Sequence, residues 1–231
     1  KAKAVVRGPR RRTMMYNTML KACACAGDVM RAEFWHTEML QEGVVQNHKT
    51  FGKLIEAAAT AGRLPLAETL LMSMHAASGL LVGVSKYNAV LSACAKVSDA
   101  PRAERWLGRA ERAAGLLPDR ISYLGVLSAC ARGGDALRAA DVFQKMLLAD
   151  IQPSVLEFNT VVSAHAKAGQ VESALLWLDR ACTARLRPTI VTFNTAIDAC
   201  ARAGDAAGAE RLVMRAVSKG VQPDAVTYNS S

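Results

Sequence analysis

One short phrase recurs along this chain at a nearly constant interval, and that interval restricts the fold more than any other feature. An aromatic residue opens it at Tyr16, Phe51, Tyr87, Tyr123, Phe158, Phe193 and Tyr228, in steps of 35 or 36 residues. Sixteen residues after each of the first six stands an alanine: Ala32, Ala67, Ala103, Ala139, Ala174 and Ala209. Eleven residues after the aromatic comes Gly27, Gly62, Ser98, Gly134, Gly169 or Gly204. A period of this size means that each unit is one supersecondary element, too small to bury its own apolar face, so neighbours must stack into an elongated array.

Each unit reads as two helices. Tyr87, Val90, Leu91 and Cys94 carry helical spacing in the first, which is expected to begin near the aromatic and run about three turns. The glycine then ends it, since a left-handed C-terminal residue costs glycine nothing. Asp28, Asp99, Asp135 or Asp205 follows in four units as an N-cap for the second helix, whose stripe is typified by Ala139, Val142, Phe143 and Met146. The repeated alanine suits the closest approach of the two helices. A closing proline (Pro118, Pro153, Pro188, Pro223; absent from the first two units) is expected to stop the second helix. The composition agrees: 51% of residues are apolar but only 5% aromatic, a core of Ala, Leu and Val suited to close-packed helices. The expectation is an all-α chain, an α-solenoid of stacked helical hairpins.

The last full unit combines Val191-Thr192-Phe193-Asn194-Thr195, Ala203-Gly204-Asp205 and Gly220-Val221-Gln222-Pro223-Asp224. An aromatic-Asn opening, Ala-Gly at mid-unit and Gly-Val-x-Pro-Asp at the end resemble the pentatricopeptide repeat family, in its plain class. Tetratricopeptide repeats have a period of about 34 residues and lack the aromatic-Asn opening. The units run 13–47, 48–83, 84–119, 120–154, 155–189 and 190–224, with a partial seventh at 225–231, and residues 1–12 are a basic N-terminal segment or the end of a preceding repeat. The resemblance implies a right-handed superhelix that binds single-stranded RNA, one base per repeat. It implies that the residue after each aromatic reads the base together with the last residue of the unit. Those pairs are Asn17 with Asn47, Asn88 with Asp119, Asn159 with Thr189 and Asn194 with Asp224. In the family, Asn with Asp resembles a uridine reader, and Asn with Asn or Thr leans to pyrimidines. Gly52 with Gly83 and Leu124 with Ser154 depart from the pattern, and those units are expected to be spacers.

The asparagines have a second reading. Asn is a common helix-start residue that satisfies free backbone N–H groups, although Thr50, Ser122, Thr192 and Thr227 stand just before the aromatic as better-placed caps. A cation recurs nine residues after the aromatic in four successive units: Lys96, Arg132, Lys167 and Arg202. It either complements the dipole of the first helix or forms a line along the groove for successive phosphates. The net charge of +9 adds little to this, because six basic residues and no acidic one lie in the first twelve positions.

Chemistry is harder to find. Cys23, Cys94, Cys130 and Cys200 share one repeat position with His165, without any Cys-x-x-Cys, and read as small core residues rather than metal ligands. Trp35, Trp106 and Trp177 recur at one inner position of the second helix. The sequon at Asn229 falls on a repeat opening. No phosphate loop, dinucleotide fingerprint, nucleophile elbow or deaminase signature is present. The expectation is a non-enzyme with no cofactor and no small-molecule substrate. No apolar run has the roughly 18 residues that cross a bilayer, so no membrane partner is expected. From the resemblance alone follow localisation to mitochondria or chloroplasts, a role in transcript processing, stability or translation, and other RNA-processing proteins as further partners. The chain stops inside a seventh unit, so a longer natural protein is expected. The alternative is a tetratricopeptide-like scaffold whose groove holds a peptide.

Overall fold

The structure, a computed structural model, describes residues 9–76, 82–113, 115–222 and 224. Pro223 and the partial seventh unit at 225–231 lie outside the described residues, as do Lys1, Lys3 and Arg7 of the basic segment. Among the described residues there are twelve helices and no strands, paired into six hairpins. They are α1 (Pro9–Ala26) with α2 (Val29–Gln41), α3 (His48–Thr60) with α4 (Leu64–Ala76), and α5 (Val84–Lys96) with α6 (Ala100–Arg112). Then come α7 (Arg120–Gly133) with α8 (Ala136–Leu148), α9 (Val155–Lys167) with α10 (Val171–Thr183), and α11 (Ile190–Arg202) with α12 (Ala206–Ser218). The chain is therefore the all-α solenoid that the period requires. Pro9–Arg12, the end of the basic stretch before the first unit, are helical and open α1.

Each odd-numbered helix packs on the next odd-numbered one, and each even-numbered helix lies against its own hairpin partner and the following odd helix. The odd helices thus form one continuous packed layer, and the even helices lie against it as a second, more loosely joined one. The repeated alanines are 0–1% exposed, which leaves no room for a larger side chain. The even helices are tied across hairpins by polar contacts. Glu104 of α6 meets Arg138 and Lys145 of α8, the latter at 2.6 Å, and Asp179 of α10 pairs with Arg215 of α12. Exposed pairs of this kind contribute about 0–1 kcal/mol each.

Two expectations about helix ends are corrected. From α3 onward the odd helices begin three residues before the aromatic, and the N-caps of α3, α7, α9 and α11 are the unit-final residues Asn47, Asp119, Ser154 and Thr189. Thr50, Ser122 and Thr192 are not caps but third helical residues: each is fully buried and accepts the backbone N–H of the cap residue, closing a capping box. The second helices are not stopped by proline. They end in a left-handed residue at Gly43, Asp150, Arg185 or Gly220, followed by a backbone bond back to the last full turn, such as Ile151 N to Met146 O at 3.1 Å. Pro153 and Pro188 come three residues later, in the extended link.

The mid-unit position behaves as the sequence suggests. All six residues there have φ between 58° and 74°, including Ser98 at 58°. At Ser98 the Asp99 N–H reaches Cys94 O and the Ser98 N–H reaches Ala95 O, a complete Schellman closure around a residue with a Cβ. Left-handed backbone costs such a residue about 1–2 kcal/mol. Ser98→Gly is therefore expected to stabilise the array by about 1 kcal/mol, read as a rise in urea midpoint with unchanged m-value. A fall in midpoint would show that the serine side chain contributes more than the strain removes.

Candidate nucleic-acid interface

The asparagines occupy the fifth residue of their helices: Asn88 in α5, Asn159 in α9, Asn194 in α11. They lie beyond the first turn, so the helix-start reading fails; none of them caps its own helix. Each instead reaches the next hairpin. Asn88 Nδ2 donates to Asp119 Oδ1 at 3.0 Å, and the buried Ser122 hydroxyl donates to Asn88 Oδ1 at 2.6 Å. Asn17 repeats this with Asn47 (3.3 Å) and Thr50 (2.8 Å). Thr192 donates to Asn159 Oδ1 at 2.5 Å and stands 3.5 Å from the Thr189 hydroxyl, so Asn159 reaches Thr189 through Thr192. Asn194 Nδ2 donates to Asp224 Oδ1 at 3.0 Å. The four residue pairs predicted from the sequence are thus adjacent in space, three by direct bonds.

The consequence is chemical. An Asn amide offers two donors and two acceptor lone pairs. At Asn88 the junction takes one donor and one acceptor, which fixes the amide plane and leaves one of each for a base edge. Burial alone would raise the Asp119 carboxyl, but hydrogen bonds from the Ser122 backbone, the Asn88 amide and the Ser122 hydroxyl outweigh it and hold it below its ordinary value. It is an ionised acceptor at neutral pH.

The two departing junctions differ from this plan and from each other. At hairpin 4, Leu124 faces Ser154, and the third helical residue of α9 is Glu157 in place of a hydroxyl residue. Glu157 is fully buried, accepts from Ser154 N and Oγ at 2.7 and 2.6 Å, and leaves Oε1 without a hydrogen bond, 3.8 Å from Arg120 Nε. At hairpin 2, Gly52 stands where an asparagine would, and Gly83 starts α5 with no side-chain cap.

The predicted phosphate cations Lys96, Arg132, Lys167 and Arg202 are all exposed, in the last turns of α5, α7, α9 and α11. They lie about 12 Å along the helix axis from the fifth-residue positions, at one rim of the groove. Lys96 Nζ donates to Thr60 O at 2.6 Å and Lys167 Nζ donates to Arg132 O, so both close the end of the preceding odd helix. Arg202 pairs with Asp198 of its own helix.

Sequence reasoning passed over a further set. Met14, Ile121, Leu156 and Val191 stand two residues before the aromatic, three before the reading position, and are 54–68% exposed. Three residues apart on a helix share a face, so these apolar side chains stand beside the fifth-residue positions. Their signal was present in the spacing, as apolar residues at a place that helical phase leaves outside the core. Hairpins 2 and 3 have Lys49 and Ser85 there instead.

The cysteines are core residues. Cys94 and Cys130 are fully buried, and burial pushes both thiols up to about 12. Among the described residues no group of three or more His, Cys, Asp or Glu is placed to hold a metal, and no helix is long and apolar enough to cross a membrane.

Ser122→Ala removes the hydroxyl that orients Asn88 and should destabilise the array by about 1–2 kcal/mol in urea titration, with Ser122→Thr close to wild type. Because the folded Asp119 value is lowered, its stabilisation is complete above the ordinary 3.8 and is lost as pH falls through the folded value beneath it. The stability difference between wild type and Asp119→Asn should therefore be flat from neutral pH down through pH 5 and collapse only in stronger acid.

Residues 4–195 match the family model described as the pentacotripeptide-repeat region of PRORP, and residues 188–230 match the PPR repeat family. No curated protein sequence matches significantly. Among solved structures, the pentatricopeptide repeat protein PPR10 from maize is similar at 25% identity and a TM-score of 0.73, over 94% of this chain and 31% of that one. PPR10 in complex with an 18-nt psaJ RNA element is similar at 24% identity and a TM-score of 0.74, over 96% and 32%. The PPR domain of Arabidopsis thaliana protein-only RNase P 1 in complex with tRNA follows at 14% identity and a TM-score of 0.62, over 76% and 91%. The chain spans about a third of the length of the PPR10 chains. With one family model spanning most of its length and a second its C-terminal repeat, this chain belongs to the pentatricopeptide repeat family.

Proposed function

We propose that the array binds single-stranded RNA, one base per reading hairpin, and that it has no catalytic role of its own. The observation that carries this is the junction at Asn88. Its amide is held by Asp119 and Ser122 from the next hairpin, with one donor and one acceptor left over. A uracil edge presents both an acceptor carbonyl and an imino N–H, which matches a neutral amide beside an ionised carboxylate. The junctions at hairpins 1 and 6 repeat the Asn-to-terminal-residue bond, and family membership supports the same reading. The exposed Met14, Ile121, Leu156 and Val191 supply apolar surface that a base can cover. A bound strand is then pyrimidine-leaning, with uridine at hairpins 3 and 6. Lys96, Arg132, Lys167 and Arg202 contact phosphates along the rim, two of them while also holding a helix end. Residence in mitochondria or chloroplasts and work on transcripts there, with other RNA-processing proteins, fit the family. A peptide-binding scaffold is the competing reading; it predicts binding that is insensitive to these asparagines.

Fluorescence anisotropy with oligo(U) against oligo(A) tests this. Oligo(U) is expected to bind more tightly, and Asn88→Ala with Asn194→Ala should cost about 1–3 kcal/mol of binding per reading hairpin, measured well below the unfolding transition because Asn88→Ala also gives up the junction bonds. If the four rim cations each meet a phosphate, the log–log salt slope is about −3. Equal affinity for both strands, or a slope near zero, contradicts the proposal.

A further inference from the structure

The junction between hairpins 2 and 3 has lost every element of the reading plan, but it is not vacant. Gly52 replaces the asparagine, Gly83 replaces the capping side chain, and Lys86 stands where α3, α7 and α11 bury a hydroxyl. The Lys86 side chain lies across Gly52: a Cβ on that glycine would meet Lys86 Cε at 3.0 Å and Nζ at 3.5 Å. An ammonium therefore occupies the place that an amide occupies at the reading junctions. Its hydrogen bond goes to Ser85 Oγ at 3.0 Å, and no carboxylate among the described residues pairs with it.

In front of Lys86 opens a cavity of about 1130 Å³, into which Arg12, Lys21, Lys49 and Lys53 also face. Of these five cations only Lys53 is in an ion pair among the described residues, with Glu56 at 2.6 Å. Asn17 and Asn47, the first reading pair, line the same cavity, so a strand read by hairpin 1 passes directly into it. Lysine offers three donors and no acceptor, a poor match for uracil edges that mix donors and acceptors. Four further cations nearby favour a full negative charge over the partial charges of a neutral base.

We propose that this cavity seats a phosphodiester of the bound strand, held chiefly by Lys86 over the Gly52 floor, in place of a base edge. The proposal rests on the RNA-binding reading above and adds to it. Hairpin 2, which the sequence marks as a spacer, becomes a charge-reading position that is indifferent to base identity and sets the phase of the strand for hairpins 1 and 3. Glycine at position 52 leaves the lysine its place, since a side chain there would push the end of Lys86 aside.

The test uses the whole chain and the shortest oligo(U) that keeps full affinity, which fixes the register. Uncharged methylphosphonate is placed at one linkage at a time, and anisotropy is read across a salt series. One linkage near the hairpin 1 site should weaken binding several-fold when neutralised. Lys86→Met, which keeps the aliphatic stem over Gly52, should abolish that sensitivity alone and lower the magnitude of the salt slope by about 0.7. Replacing the base beside that linkage should change affinity less than about twofold, well short of a stacked reading position. A flat linkage scan, an unchanged slope in Lys86→Met, or a guanine preference at this position that Lys86→Met removes would overturn the phosphate seat while RNA binding stands. Failure of the wild-type chain to bind any of these strands overturns the RNA-binding reading itself and the seat with it.

Discussion

No hairpin of this chain can bury its own first helix. In α5, Tyr87, Val90, Leu91, Ala93, Cys94 and Ala95 are all buried, and they point in directions that one partner helix cannot cover together. α6 covers one flank, while α3 and α7 cover the others. The odd helices must therefore stack on one another, and continuity of the array is a condition of the stability of each unit. The alanine in every second helix serves the same constraint from the other side, because close approach of the hairpin partners requires a residue that adds no volume.

The groove follows from that stacking. Once odd helices are registered against each other, the fifth residue of each falls on one line, and the start of the next helix falls beside it. The capping boxes then serve two purposes. They satisfy the free N–H groups of one helix, and through Thr50, Ser122 and Thr192 they orient the asparagine of the helix before. The orientation of each asparagine is thus a property of two adjacent hairpins, held by buried hydroxyls.

The electrostatics are local rather than global. Rim cations are divided between helix-end carbonyls and solvent, as Lys96 and Lys167 show, and the outer helices spend their charges on each other through Glu104 and Asp179. The concentrated positive charge is at hairpins 1 to 3, and in hairpins 2 and 3 Lys49 and Ser85 replace the apolar residue that stands two before the aromatic elsewhere. The array is accordingly uneven: exposed apolar side chains flank the fifth-residue positions toward the C-terminal hairpins, and cations gather toward the N-terminal ones.

Period, helix pairing, the buried alanines and the left-handed turn at mid-unit were all legible in the residues, because each depends on interactions within one unit and repeats six times. Even Ser98 adopts the left-handed backbone of the glycines it replaces, since the surrounding register leaves no alternative. Helix starts were misread at Thr50, Ser122 and Thr192, because an isolated hydroxyl residue before an apolar run looks like a cap whether it lies at the first position or the third. The stop at Asp150 and Arg185 was misassigned to proline, since nothing in an aspartate or arginine announces a positive φ. What only the tertiary structure decided is what the junctions between hairpins contain: Glu157 buried beside Arg120 of the preceding hairpin, Lys86 laid across Gly52, the asparagines bonded forward to the next unit. These contacts join residues about 30 or more positions apart, and their geometry is set by how one hairpin docks on the next, which local propensity does not encode.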